Sequence, residues 1–229
     1  MTLDILIFGA HADDAEIGMG GTIAKHTAAG FKVGVCDLTR AEMSSNGDVD
    51  TRMAEAEQAS KVLGLAVRTN LGLPDRGLYV TPEHVAAVTA EIRRHKPKVV
   101  FAPYWEDRHP DHVMCSKLVE EAVFNAKLRR FMPEQPAVQV ELYFYFINDI
   151  GRTDLIVDIT GHYEAKEQSL LSYVSQFQAV PGKDTVSTPL NQGYVERVKA
   201  RDSLLGQRKL ISYAEGFASK TPHVVNLFT

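Results

Sequence analysis

The sequence predicts an α/β fold: a doubly wound, mostly parallel sheet with helices on both faces and a helical C-terminal extension. Three observations predict it. Short runs of strand length alternate with helix-length segments four times in succession, the pattern of a right-handed parallel sheet. The first run, residues 3–10 (Leu-Asp-Ile-Leu-Ile-Phe-Gly-Ala), is almost continuously apolar, as suits a strand covered on both faces. Stop signals at Gly30, Gly64 and Pro97 fall where each helix must yield to the next strand.

The elements follow in order. After the first strand and a polar loop, residues 17–29 read as a helix, and residues 32–39 as the second strand. A loop containing Ser44-Ser45-Asn46-Gly47 leads to a charged helix over 50–63, then a short third strand over 66–71. Thr81-Pro82-Glu83 is a helix start: Thr caps the first turn, and Pro at the first helical position loses no hydrogen bond. That helix runs to His95 and the fourth strand covers 98–103. Pro110 opens a fourth helix reaching about residue 130. Strands over 138–147 and 154–159 extend the sheet, and helices over 163–177 and 190–206 complete the chain, joined by a polar loop over 179–189. No repeat, low-complexity tract or linker divides the 229 residues, so a single domain spanning 1–229 is expected.

Composition narrows the function. The 25 Lys and Arg against 29 Asp and Glu give a net charge of −4, which argues against a nucleic-acid footprint. Even an apolar stretch such as Tyr143 to Ile147 is far short of the roughly 20 residues that span a bilayer. Met1-Thr2-Leu3-Asp4-Ile5 has no basic region, so no signal peptide is read, and two cysteines make no disulfide framework; a cytoplasmic protein is expected.

In an open parallel sheet, ligands bind beyond the carboxyl ends of the strands where strand order reverses. With the order 3-2-1-4-5, strands 1 and 4 flank that crevice. Strand 1 empties into Ala10-His11-Ala12-Asp13-Asp14, and strand 4 leads through Tyr104-Trp105-Glu106-Asp107-Arg108 into His109-Pro110-Asp111-His112. Two imidazoles and one carboxylate suit a divalent metal of borderline softness and leave positions open for water and substrate. Of the adjacent Asp13 and Asp14, one would ligate while the other faces the water. Taken singly, each cluster reads equally as a helix N-terminus stabilised by acidic residues. Together, at the two strands bordering one crevice, they point to a site. Cys115, one turn beyond His112, is an alternative ligand but reads better as a small buried helix residue. Gly18-Met19-Gly20-Gly21 lacks the spacing of a dinucleotide fingerprint, and the acidic turn before it would repel a pyrophosphate. Those glycines read as sites of close helix–sheet packing. A non-haem iron oxygenase and a non-catalytic nucleotide- or metal-sensing module remain open on the residues alone.

Ala10-His11-Ala12-Asp13-Asp14 resembles the AHPDD signature of the PIG-L/LmbE-like metal-dependent deacetylases, with Ala12 in place of the usual Pro, and His109-Pro110-Asp111-His112 resembles their HPDH signature. The resemblance implies a Rossmann-like fold with zinc (or Fe²⁺ or another divalent ion) held by His11, Asp14 and His112. It implies Asp13 as general base, His109 as a charged electrostatic partner, and Asp111 as the group orienting His109. It also implies that Arg52 and Tyr194 meet substrate; Arg108, by its place beside His109, is a candidate to bind an anionic aglycone such as malate. Thr39-Arg40-Ala41-Glu42-Met43, Pro74-Asp75-Arg76-Gly77-Leu78, Glu106-Asp107-Arg108 and Tyr213-Ala214-Glu215-Gly216-Phe217 resemble the branch that deacetylates N-acetylglucosaminyl-malate in bacillithiol synthesis. Related enzymes act on other N-acetyl sugars, including chitin oligomers. The branch also implies a homo-oligomer, of hexamer size.

Overall fold

The computed structural model describes residues 1–178 and 185–222. Residues 179–184 of the polar loop, and with them most of a lid that the sequence suggests over 179–189, lie outside the described residues, as does His223. The chain forms β1 (Ile5–Gly9), α1 (Asp14–Ala28), β2 (Val33–Thr39), α2 (Val49–Leu63), β3 (Val67–Leu73), α3 (Pro82–His95), β4 (Val99–Pro103) and α4 (Pro110–Ala126). There follow β5 (Glu141–Tyr145), β6 (Leu155–Asp158), a short 3-10 turn (Thr160–His162), α5 (Tyr163–Leu171), α6 (Val174–Phe177), α7 (Tyr194–Gln207) and β7 (Ala214–Ala218). No helix among the described residues is long and apolar enough to cross a membrane.

The seven strands form one sheet in the order β3-β2-β1-β4-β5-β7-β6. The first five are mutually parallel, so the 3-2-1-4-5 order holds, while β7 runs antiparallel to both β5 and β6. β1 and β2 are buried along their whole length; β1 is nearly all apolar, while β2 buries Asp37 against the Arg68 guanidinium. Side chains alternate between faces with period two. Ile5 and Ile7 join one apolar cluster, beneath α1, α2 and the C-terminal helices, while Leu6 and Phe8 join the other, beneath α3 and α4.

Two expectations are corrected. The chain beyond α7 is not purely helical: β7, Ala-Glu-Gly-Phe-Ala, enters the sheet between β5 and β6. The helix expected over 163–177 is two, α5 and α6, broken at residues 172–173. Several ends also move: α1 begins at Asp14, α4 ends at Ala126 and α7 begins at Tyr194.

The glycine cluster in α1 has a packing cause. A Cβ on Gly18 would lie 2.2 Å from the Tyr145 ring, and one on Gly21 would lie 2.7 Å from Ile159, so only glycine lets α1 lie this close to the sheet. The helix is interrupted at Met19 (φ −150°, ψ 24°) and resumes at Gly21 and Thr22, whose N–H groups donate to the buried Glu215 carboxylate at 2.9 and 2.6 Å. Glu215 thus serves the resumed helix as a carboxylate cap. It is held by Lys166 Nζ at 2.6 Å, which donates equally to Asp202. All three side chains are sealed from solvent, and they tie α5, α7 and β7 to α1.

Candidate active site

The loops after β1 and β4 meet at the carboxyl edge of the sheet, where strand order reverses. They open on a cleft of about 470 Å³, within the range of small-molecule sites. His11, Asp13, Asp14, His109 and His112 line it, as do Arg52, Arg108 and Tyr194; Asp111 lies behind His11. The structure therefore brings every expected site residue to one place.

The β1–α1 loop is held tightly. The His11 N–H donates to Asp14 Oδ2 at 2.9 Å, and Asp13 adopts φ 112°, a left-handed conformation that costs a non-glycine residue about 1–3 kcal/mol. Arg52, buried at the start of α2, secures that conformation. Its Nε and Nη2 donate to Ala12 O, and Nη2 also reaches Asp13 Oδ2 at 2.9 Å. Its guanidinium rests over Tyr173, and Nη1 is buried without a hydrogen bond among the described residues. Arg52 thus binds the loop carrying Asp13 as well as facing the cleft. Burial pushes the Asp13 carboxyl up to about 7, with Arg52 opposing and Asp14 adding to the shift.

Of the three expected ligands, His112 and Asp14 stand close together, with Nε2 and Oδ1 3.1 Å apart. Two ligands about 2.1 Å from a shared ion stand roughly 3–3.4 Å apart, so this pair has the spacing of ligands to one ion. His11 Nδ1 stands 3.8 Å from Asp14 Oδ2. The other ring nitrogen of His112 meets Asp107 Oδ1 at 3.0 Å, the kind of carboxylate contact that fixes a ligating histidine's tautomer. Asp107 is held in turn by Asn148, whose side chain and N–H both donate to it. His11 Nε2 faces Asp75 at 3.1 Å and Asp111 at 3.5 Å. Burial opposes a charge on both imidazoles, but carboxylates overcome it. Asp111 and Asp75 lead in raising His11 to about 10, and Asp14 and Asp107 in raising His112 to about 9. Asp14 itself stays well below the ordinary carboxylate range: burial opposes this, and His112 and His11 outweigh it. A buried field that favours positive charge this strongly, lined with N and O donors, fits a divalent cation.

Two donor groupings could hold a metal ion. His11, His109 and His112 converge within 4.8 Å, and so do His11, Asp75 and Asp111. His109 is thus close enough to compete with Asp14 as third donor. Cys115 belongs to neither and packs in the core beneath α4.

The expected link between His109 and Asp111 differs in kind. The Asp111 carboxylate accepts from the Arg76 N–H and from Arg76 Nη1, both at 2.9 Å, so it does not orient the His109 ring. The Asp111 main-chain N–H does, donating to His109 Nδ1 at 3.2 Å as α4 begins. With Nδ1 accepting, the ring proton sits on Nε2 and the imidazole is neutral rather than charged. Burial and the neighbouring His112 and His11 hold its pKa below the ordinary value, in the same sense. The Tyr194 hydroxyl is engaged with Asn148 Oδ1 at 3.0 Å, which supports the residue that positions Asp107. Arg108 is exposed and makes no hydrogen bond or ion pair among the described residues. Reasoning from the residues missed Asp75, Arg76, Asp107 and Asn148. Asp75 and Arg76 appeared only inside a segment of family resemblance, and Asp107 was given no role of its own.

An α/β sheet whose switch point holds a histidine–carboxylate cluster able to bind a metal places the chain in the Rossmann-like class. The family model for PIG-L, GlcNAc-PI de-N-acetylase, matches residues 6–123, and the chain belongs to this family. It is 29% identical over 189 residues to the diacetylchitobiose deacetylase of Thermococcus kodakarensis, covering 76% of this chain and 70% of that one. It is 26% identical over 230 residues to the 1D-myo-inositol 2-acetamido-2-deoxy-alpha-D-glucopyranoside deacetylase of Mycobacteroides abscessus, covering 76% of this chain and 82% of that one. Among solved structures, a conserved protein from Thermus thermophilus superposes with a TM-score of 0.90 at 38% identity, covering 100% of this chain and 99% of that one.

Proposed function

We propose that this chain hydrolyses the acetamide of an N-acetylglucosaminyl conjugate, with N-acetylglucosaminyl-malate, the bacillithiol precursor, as its substrate. The observation that carries this reading is the meeting of His11, Asp14 and His112 beside a buried, near-neutral Asp13 in one cleft. Family membership supports the reaction, as do two relatives whose names each describe deacetylation of an acetamido sugar. Malate is supported by the resemblance of four further segments to that branch and by the cationic Arg108 at the cleft.

In this reading His11, Asp14 and His112 hold a divalent ion, zinc first among the candidates. When bound, the ion supplies Lewis acidity toward a carbonyl and lowers the pKa of water from 15.7 toward ~7. The remaining roles belong to the chain. Asp13, with a carboxyl pKa near neutrality, accepts a proton from the attacking water. Arg52 keeps Asp13 in its left-handed conformation and aimed into the cleft. His109 donates Nε2–H to the oxygen that becomes negative as the acetyl carbon turns tetrahedral, acting as a neutral donor whose direction the Asp111 N–H sets. Asp13 then returns its proton to the sugar nitrogen as the C–N bond breaks, and acetate and the free amine leave.

A second reading, deacetylation of chitin oligomers, is favoured by the name of the Thermococcus relative. Acetate release from the metallated protein, with and without chelator, separates the two. The malyl conjugate is expected to give the highest kcat/KM, above diacetylchitobiose and the inositol conjugate, and chelation is expected to abolish turnover until zinc is restored. Preference for diacetylchitobiose moves the substrate to the second reading. Undiminished turnover after chelation contradicts the metal role.

A further inference from the structure

The Ser44–Gly47 loop belongs to neither the donor cluster nor the proton path, yet Ser44, Ser45 and Asn46 line the cleft. So do Thr188, Pro189 and Leu190, which reach it from the other end of the chain. Residues 185–188 have no regular secondary structure, and Val186, Ser187 and Pro189 are exposed, so neither a backbone ladder nor burial holds this stretch in place. A pair of side-chain amides does.

Asn46 and Asn191 are both buried. Asn46 pairs with Val186 in both directions: its Oδ1 accepts the Val186 N–H at 2.8 Å, and its Nδ2 donates to Val186 O at 2.9 Å. Asn191 Nδ2 donates to the same carbonyl at 2.9 Å, and its Oδ1 accepts the Thr188 N–H at 3.0 Å. An amide suits this task because it carries a donor and an acceptor side by side, as the main chain does. The clamp has a firm base. Asn46 O accepts from Gln176 Nε2 at 2.7 Å, and Ser44 Oγ donates to Gln176 Oε1 at 3.3 Å. Beside Gln176, Ser175 gives its N–H and its hydroxyl to the Glu55 carboxylate of α2, both at 2.7 Å. Gly47, at φ 72°, lets the loop come this close, since a Cβ there would lie 2.9 Å from Ser175 Oγ. These contacts are separate from those that hold His11, Asp13, Asp14, His109 and His112.

We propose that Asn46 and Asn191 are positioning residues for substrate binding, acting by fixing Thr188, Pro189 and Leu190 as a wall of the cleft. The inference rests on the deacetylase reading and adds the means by which that cleft keeps its shape. Asn191 separates the two ways in which Asn46 can act. Asn46 lines the cleft and is within reach of a substrate there, whereas Asn191 is not among the lining residues and acts only through the wall. A clamp therefore makes the two residues equivalent, and a direct contact does not.

The test measures acetate release from the malyl conjugate and from diacetylchitobiose, with zinc content and amide hydrogen exchange of a peptide covering 185–191 followed on the same samples. For the substrate that the wild type deacetylates, Asn46→Ala and Asn191→Ala should each raise KM about threefold to tenfold, the scale of losing one or two hydrogen bonds between neutral groups. The kcat should stay within about twofold of wild type, the pattern of lost substrate binding, with zinc bound as before and faster exchange of the peptide in both variants. Asn46→Asp, assayed well above the carboxylate range, keeps the size and the acceptor but sets a negative oxygen against Val186 O, so it should bind substrate no better than Asn46→Ala. If Asn46→Ala does not fold, Asn191→Ala and Asn46→Asp carry the same comparison. Wild-type KM in Asn191→Ala or in Asn46→Asp, or a loss confined to kcat, overturns the clamp while leaving the deacetylase reading intact. Acetate release from neither substrate by the wild type overturns that reading, and this role with it.

Discussion

Asp13→Asn is expected to lower kcat by about 10²–10⁴, the usual cost of removing a general base, while the protein keeps its metal. Asn preserves the size of the side chain and tolerates the left-handed backbone found at this position (φ 112°), so folding should survive. What disappears is a buried carboxyl with a pKa of about 7, able to take a proton and return it. Because this interaction acts on the reacting groups rather than on bound substrate, kcat and kcat/KM should fall together. Steady-state kinetics on the metallated variant, with metal content measured in parallel, check this. Wild-type kcat in Asp13→Asn would remove Asp13 from the proton path. Loss of metal would make Asp13 a ligand instead.

The second large effect is on stability. Lys166→Met is expected to cost about 3–5 kcal/mol, because it leaves two buried carboxylates without their shared cation. Glu215 would retain the N–H groups of Gly21 and Thr22, and Asp202 would retain Arg201, but neither would have Lys166. Against a total stability of roughly 5–15 kcal/mol this is a large fraction. Neutralising the carboxylates as well, by adding Glu215→Gln and Asp202→Asn, should recover part of the loss, since the unpaired charge is the main penalty. Urea denaturation midpoints of the single and triple variants measure it. A single variant within about 1 kcal/mol of wild type would show that the triad is incidental to the fold. The site would feel the change too, because the interrupted helix α1 carries Asp14 at its start and the Glu215 cap at its resumption.

The legible parts of this sequence were those where burial leaves a compositional trace. Strand β1 is covered on both faces and reads as an apolar run. α2 and α3 announce themselves by capping, with Gly64 and the Thr81-Pro82 pair falling where the structure ends one and begins the other. β7 left no such trace. Its five residues are all buried, yet two are Ala and one is Gly, since α7 and the neighbouring strands leave little room, and Glu215 faces an internal lysine rather than solvent. The helix α1 shows a related effect, where glycines that mimic a nucleotide motif are required by contact with Tyr145 and Ile159.

The site was half legible. His11, Asp14 and His112 stand out because histidines and paired carboxylates are concentrated after the two strands that border the crevice. Asp75, Asp107 and Asn148 do not, since a lone polar residue in a loop has no pattern of its own and acquires meaning only when the fold sets it against an imidazole. Asp111 shows the limit within a motif. Its position was clear, but which of its groups meets His109, carboxylate or main-chain N–H, depended on Arg76, a residue on another loop that occupies the carboxylate.

The central claim is that segments about a hundred residues apart hold a single cation through His11, Asp14 and His112. Metal stoichiometry by equilibrium dialysis against Zn²⁺, on the wild type and on four single alanine variants, tests it most directly. One ion per chain is predicted for the wild type and for His109→Ala, with binding lost or severely weakened in His11→Ala, Asp14→Ala and His112→Ala. Undiminished binding in Asp14→Ala together with loss in His109→Ala would contradict the account and transfer the third ligand to His109.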